Sequence, residues 1–189
     1  MSLGETSDEE LVLKAGRGDR AAFGVLVRRH HGRMLRLAWR FVGDSSRAED
    51  IVQETFTRAW VKAPEWRSTA QGGAGQFTTW LTKIALNLAI DARRRVVPLR
   101  LEAADDIASS DPTADVRLEQ SERQAAVARA IAGLPERQRA AIILTYHEGL
   151  SNAEAAQALE TTVGALELLL VRARRNLRDS LQHFLRDET

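Results

Sequence analysis

Apolar residues in this chain recur every three or four positions, block after block, and almost nowhere at every second position. Phe23, Leu26, Val27, His30, Met34, Leu37, Ala38 and Phe41 form one such set; Ala48, Ile51, Val52, Thr55, Phe56, Ala59 and Trp60 form another. Only a backbone with 3.6 residues per turn gathers sets like these on one side. The chain is therefore expected to be all-α, with strand patterning almost absent.

Helix-ending and helix-starting residues divide the blocks. Ser7 with Glu10 reads as a capping box for a short first helix, and Asp19 as the cap of a long second one that Gly43 closes. Ser46 with Glu49 reads as a second capping box, opening a helix that Pro64 stops. Residues 65–76 hold three glycines and no periodicity, which predicts a mobile surface loop. A fourth helix is expected over about 78–95, with Trp80, Leu81, Ile84, Ala85 and Leu88 supplying apolar contacts and Arg93, Arg94 and Arg95 at its C-terminal end.

The pattern then breaks between about 96 and 116, where Pro98, Pro112, Asp105, Asp106, Ser109 and Ser110 fall together. This composition predicts a linker between two small helical domains, 8–96 and 114–186, with the linker over 97–113. Beyond it, a fifth helix is expected over about 114–132 and a sixth from Pro135 to Gly149. Ser151 with Glu154 caps a short seventh, and a long basic helix follows Thr161 and Thr162 to about residue 185.

Charge and composition narrow the function. The formal net charge of the 189 residues is +1, but residues 1–98 carry 16 basic and 11 acidic side chains (+5), residues 99–134 carry 4 and 7 (−3), and residues 135–189 carry 7 and 8 (−1). All but three of the cationic side chains are Arg, which suits planar recognition of phosphates and base edges, although genomic composition alone produces the same bias. The absence of Cys excludes disulfide scaffolds and thiolate metal sites. The start of the chain is acidic and polar, and no apolar run approaches the roughly 20 residues of a membrane span. A cytoplasmic protein without membrane insertion is the expectation. Catalysis is not expected: His30 and His31 point to different faces, His147 and His183 stand alone, and the chain has no HExxH, no phosphate-cradling Gly-Lys-Ser/Thr loop and no nucleophile elbow. No metal, cofactor or small-molecule substrate is implied.

The C-terminal pattern is the most specific. A helix, a Gly turn, a short helix carrying Ala153, Ala155, Ala156 and Ala158, a tight turn and a long Arg-rich helix together suit a helix-turn-helix, whose short helix must pack closely. Its last helix would enter a DNA major groove near Thr162, with Arg172, Arg174 and Arg175 near the backbone. On composition alone, an ordinary three-helix bundle with a solvated Arg face fits equally well.

In these segments the chain resembles the extracytoplasmic-function sigma factors of bacterial RNA polymerase. LPERQRAAIILTYHEGLSNAEAAQALETTVGALELLLVRARRNLRDSL resembles their region four; AEDIVQETFTRAW at 48–60 is similar to their polymerase-binding segment, and FTTWLTKIALNLAIDARRR at 77–95 to the helix that reads the minus-ten element. The resemblance covers about 10–96 and 115–182, in two independent matches in the right order.

The resemblance implies roles for residues that the chemistry can also rationalise. Asp50, Gln53 and Glu54 share one helical face and are expected to grip core RNA polymerase, leaving Ile51, Phe56 and Trp60 mostly to the core. Opening promoter DNA requires extruded bases to be held by stacking and by hydrogen bonds to their edges. Asn87 is placed to read a base edge and Arg93, Arg94 and Arg95 to hold phosphates, while Trp66 either stacks on a flipped base or folds back over the domain. Phe77 and Trp80 belong to the core or frame the pocket. For the minus-35 element the candidates are Thr162, Glu167, Arg172, Arg174 and Arg175. The stretch Ala165 to Leu169 departs from the family's Thr-Val-Lys-Ser-Arg type run: Glu167 can accept from a cytosine amino group, whereas Leu168 and Leu169 read no donor or acceptor. Leu166, Leu168 and Leu169 either offer an anti-sigma factor an apolar landing site or pack the domain core. The alternative reading is a conventional helix-turn-helix regulator, which needs neither a polymerase-binding face nor a melting loop and predicts palindromic operators.

Overall fold

The computed structural model describes residues 6–66, 76–94 and 114–186, and the described residues form helices and no strand. Residues 67–75 of the loop expected at 65–76, and the linker expected at 97–113, lie outside the described residues, whereas Gln76 already opens the fourth helix. The N-terminal bundle comprises α1 (Asp8–Ala15), α2 (Arg20–Val42), α3 (Ser45–Lys62), a 3-10 turn (Ala63–Glu65) and α4 (Gln76–Arg94). The C-terminal bundle comprises α5 (Ala114–Gly133), α6 (Glu136–Ile142), a single π turn (Ile143–His147), α7 (Asn152–Ala158) and α8 (Val163–Arg186).

The caps follow the local chemistry. Ser7 Oγ accepts from the Glu10 amide at 3.2 Å and Asp19 from the Ala22 amide at 3.0 Å, satisfying donors that the first turn leaves open. Gly43 closes α2 in the left-handed region (φ 67°). The start of α3 differs from the expectation: it is capped by Asp44, which accepts from the Arg47 amide at 2.8 Å, and not by Ser46 with Glu49. With Gly43 already reversing the chain, Asp44 is the first residue in extended geometry, so the helix begins at Ser45. Ser151 and Glu154 form the full reciprocal capping box expected of α7. Pro135 stands at the N-cap of α6 rather than inside its first turn.

The expected apolar stripes become the N-terminal core. Leu26, Met34, Leu37 and Phe41 of α2 pack with Val52 and Phe56 of α3, Phe77, Leu81 and Leu86 of α4, and Leu11 and Val12 of α1. Phe23 meets Phe56 and Trp60 edge-on, with ring centroids 6.3 and 5.1 Å away. Asp8 ties α1 to α2, holding Arg29 at 2.7 Å and the buried His30 at 2.6 Å, while the His30 ring lies edge-on to Phe77. Gly16 lets the end of α1 approach the turn after α3; a Cβ there would lie 2.7 Å from the Ala63 carbonyl oxygen.

In the C-terminal bundle, Leu134, Ile143, Leu144, Leu166, Leu170 and Ala173 are buried together. Ala155, Ala156 and Ala158 are buried on α7, and these small side chains let it lie between α8 and α4. The two bundles thus touch, and their buried residues form one continuous cluster.

Gly16→Ala is expected to lower stability by about 1–3 kcal/mol, because a backbone carbonyl must move. Gly24→Ala, inside α2 and facing only the far end of Arg28 at 3.5 Å, is expected to raise it by about 0.5–1 kcal/mol. Urea denaturation of the two variants checks the opposite signs.

Candidate nucleic-acid and polymerase interfaces

Helix α3 presents two faces. Ile51, Val52, Thr55 and Phe56 are buried, whereas Asp50 and Gln53 are exposed on the other side. Glu54, half-buried, holds Arg58 at 2.7 Å across one turn. Asp50, Gln53 and Glu54 therefore share an outward, acid-and-amide surface beside a core stripe, and Trp60 is half-buried against that core.

Around α4 the structure places the candidates differently. Asn87 is exposed. Trp66 is only 5% exposed and belongs to the core, which corrects the reading of it as a ring free to stack on a base. It folds back over the domain because the 3-10 turn after α3 returns the chain onto the bundle. Phe77 is fully buried and Trp80 half-buried, their rings 5.7 Å apart. Arg93 and Arg94 are not free to hold phosphates in this arrangement. Arg93 donates to the carbonyls of Phe41 at 3.0 Å and of Ala132 at 2.8 Å, and Arg94 makes a two-pronged pair with Glu136 at 2.7 and 3.0 Å. Burial lowers the Arg93 pKa from its ordinary value, while the Glu136 carboxylate raises that of Arg94. Arg95 lies outside the described residues.

Both Arg93 and Arg94 join α4 to the C-terminal bundle, and further charges do the same. Arg33 on α2 donates from Nε to the Glu148 carboxylate at 2.8 Å and from its terminal nitrogen to the Glu148 carbonyl at 2.9 Å, with Arg40 3.8 Å from the same carboxylate. The Glu148 side chain is only 4% exposed. Lys83 on α4 lies 2.6 Å from Glu160, and its ammonium holds that carboxyl below the usual range. Arg139 is the odd member: it is 3% exposed, donates to the Leu134 carbonyl at 3.0 Å, and has no partner for Nε or Nη1 among the described residues. Burial, together with the nearby Arg93 charge, pushes its guanidinium down to about 10.

On the last helix, Thr162 Oγ1 accepts from the Ala165 amide at 3.2 Å and so caps α8 while remaining exposed. Glu167, Arg172, Arg174 and Arg175 are all exposed. Glu167 and Arg174 line an open groove between α7 and α8 with Tyr146, Asn152 and Val171. Sequence reasoning missed Tyr146, which is 60% exposed; its hydroxyl accepts from Arg174 at 3.0 Å and its ring lies under the guanidinium. A lone Tyr at the end of a helical run carries no sequence signal of exposure. Leu166 is corrected: it is fully buried and cannot be a surface contact. Leu169 is half-buried against the core, and Leu168 is 59% exposed, one turn from the equally exposed Val171.

The family model described as Sigma-70 region 2 matches residues 26–97, and that described as Sigma-70, region 4 matches 124–177. The chain belongs to the sigma-70 family. Within it, the similarity is to the extracytoplasmic-function sigma factors. RNA polymerase sigma-H factor of Pseudomonas aeruginosa is 33% identical, the alignment covering 98% of this chain and 99% of that protein. The extracytoplasmic-function sigma factor SigM of Mycobacterium tuberculosis is 35% identical over 92% of this chain and 84% of its own length. Among solved structures, CnrH in complex with the cytosolic domain of CnrY is similar with a TM-score of 0.70 and 30% identity, covering 94% of this chain and 99% of that one. In this sigma factor the region 2 match runs from within α2 through α4, and the region 4 match from within α5 into α8.

Leu166→Ala is expected to cost about 2–5 kcal/mol through the cavity it leaves, and Leu168→Ala less than about 0.5 kcal/mol. Thermal unfolding of the two single variants separates the core leucine from the surface one.

Proposed function

We propose that this sigma factor binds core RNA polymerase through the Asp50, Gln53 and Glu54 face of α3, opens the minus-ten element along α4, and reads the minus-35 element with α7 and α8. The observation that carries the reading is the order of the two matches on two bundles, with Asp50, Gln53 and Asn87 exposed on the first and Thr162, Glu167, Arg172, Arg174 and Arg175 exposed on the second. Asn87 offers both donor and acceptor to a base edge. Arg93, Arg94 and Arg95 supply the phosphate track once released from the contacts described above, each phosphate adding about 0.9 to the salt slope. In the second bundle, the groove holding Glu167 and Arg174 faces a duplex, while Thr162, Arg172 and Arg175 support the backbone. The chain acts as an initiation factor in the cytoplasm rather than as an enzyme.

Control by an anti-sigma factor fits the surface. Leu168 and Val171 give a partner helix a small exposed apolar footing, which narrows the contact expected of Leu166, Leu168 and Leu169. With no Cys in the chain, a thiol-based signal has to arrive through a partner.

Two variants separate the roles. Asp50→Ala with Glu54→Ala is expected to weaken binding to core polymerase by about ten-fold or more, measured by fluorescence titration. Asn87→Ala is expected to leave that binding intact and lower promoter opening, read by permanganate reactivity of unpaired thymines. Unchanged polymerase binding by the Asp50–Glu54 variant, or weakened polymerase binding by the Asn87 variant, would contradict the assignment.

A further inference from the structure

From Val163 to Val171, the opening turns of α8 carry aliphatic side chains, one glycine and one carboxylate, and so no side-chain hydrogen-bond donor at all. This is the part of the helix that a helix-turn-helix lays against base edges. Its inner side is spent on the core, where Leu166, Leu170 and Ala173 are buried. Its outer side, spaced four, three and four apart, carries Gly164, Leu168, Val171 and Arg175, all exposed. Leu168 and Val171 are each 59% exposed, and Val163 adds a third apolar side chain at the mouth of the helix. Gly164 has nothing within 4 Å of where a Cβ would stand and no positive φ, so the fold itself does not require a glycine there. Without a side chain it leaves the backbone of the first turn open to close approach.

Cations resume directly after the apolar crown: Arg172, Arg175 and Arg178 are exposed over the next two turns. On the flank, Tyr146 holds Arg174 at the rim of the groove, and the Glu167 carboxylate lies 3.5 Å from Asn152 Nδ2. A surface that meets both features must be polyanionic at its edges and apolar at its centre. The major groove supplies this at thymine, whose C5 methyl is the apolar group on a base edge between two phosphate backbones. Guanine is excluded by the same stretch, because its edge there offers two acceptors while Leu168 and Val171 donate nothing and Glu167 repels them. Glu167 accepts instead from the amino group of cytosine or adenine.

We propose that Leu168 and Val171 are specificity-determining residues that read thymine C5 methyl groups in the minus-35 element, with Glu167 excluding guanine beside them. This rests on the reading of α8 as the minus-35 helix. A partner helix seated on Leu168 and Val171 would compete with the DNA for the same two side chains.

The test uses the full chain bound to core polymerase and a pool of random duplexes of about 60 base pairs. Retained duplexes are expected to share an upstream element with thymines at fixed positions, an element that loses its enrichment when Arg172→Ala is combined with Arg175→Ala. Replacing those thymines by deoxyuridine, which removes only the methyl group, is expected to weaken binding by about four-fold for each methyl in contact. Leu168→Ala with Val171→Ala is expected to bring that penalty below about two-fold. Both side chains are exposed, so this variant is expected to fold as the parent does, which circular dichroism checks. No penalty for deoxyuridine in the parent chain, an undiminished penalty in the folded leucine–valine variant, or an upstream element without thymine would each overturn the proposal. An upstream element indifferent to the two arginines would overturn the reading of α8 as well.

Discussion

Glu148 has lost nearly all of its contact with water and lies between Arg33 and Arg40, far away along the chain. A carboxylate in that position is tolerable only when paired and hydrogen-bonded, because an isolated buried charge costs several kcal/mol. The pairing fixes how the second bundle sits: Glu148 precedes the turn into α7, so anchoring it to α2 directs α7 onto α4. The alanines of α7 then let the backbones approach, and Lys83 with Glu160 and Arg94 with Glu136 close the rim. Removing one partner of the Glu148 pair would leave the other desolvated, so this contact decides the arrangement more than the exposed pairs around it.

The same contact decides which candidate surfaces are open. The acid-and-amide face of α3 is left open, as are the exposed cations of α8. The cationic end of α4 is not, since Arg93 and Arg94 are engaged by carbonyl and carboxylate groups of the neighbouring elements.

Much of the fold was legible in the sequence because the signals that specify it are local. Period-3.6 stripes marked the helices, and Asp19, Gly43 and the Ser151–Glu154 box marked ends within a residue or so. The start of α3 moved to Asp44 because the cap is decided by which residue first leaves the glycine turn, which composition does not reveal. Trp66 and Leu166 were ambiguous between surface and core for the reason any apolar residue at the edge of a stripe is: the element that covers it comes from elsewhere in the chain. The engagement of Arg93 and Arg94, and the whole of the Arg33–Glu148 contact, were illegible, since pairs separated by 42 and 115 positions leave no periodic trace. The candidate residues of α3 and α8 stood out because acids, amides and arginines interrupt otherwise regular stripes.

If these two bundles together direct polymerase to promoters, the most direct measurement is to mix the purified chain with sigma-free bacterial core RNA polymerase and sequence the 5′ ends of transcripts made from genomic DNA of its source. The expected result is co-elution with the polymerase and discrete start sites that share two unlike upstream elements at a fixed spacing. A folded, inhibitor-free chain that neither co-elutes nor yields discrete starts would contradict it.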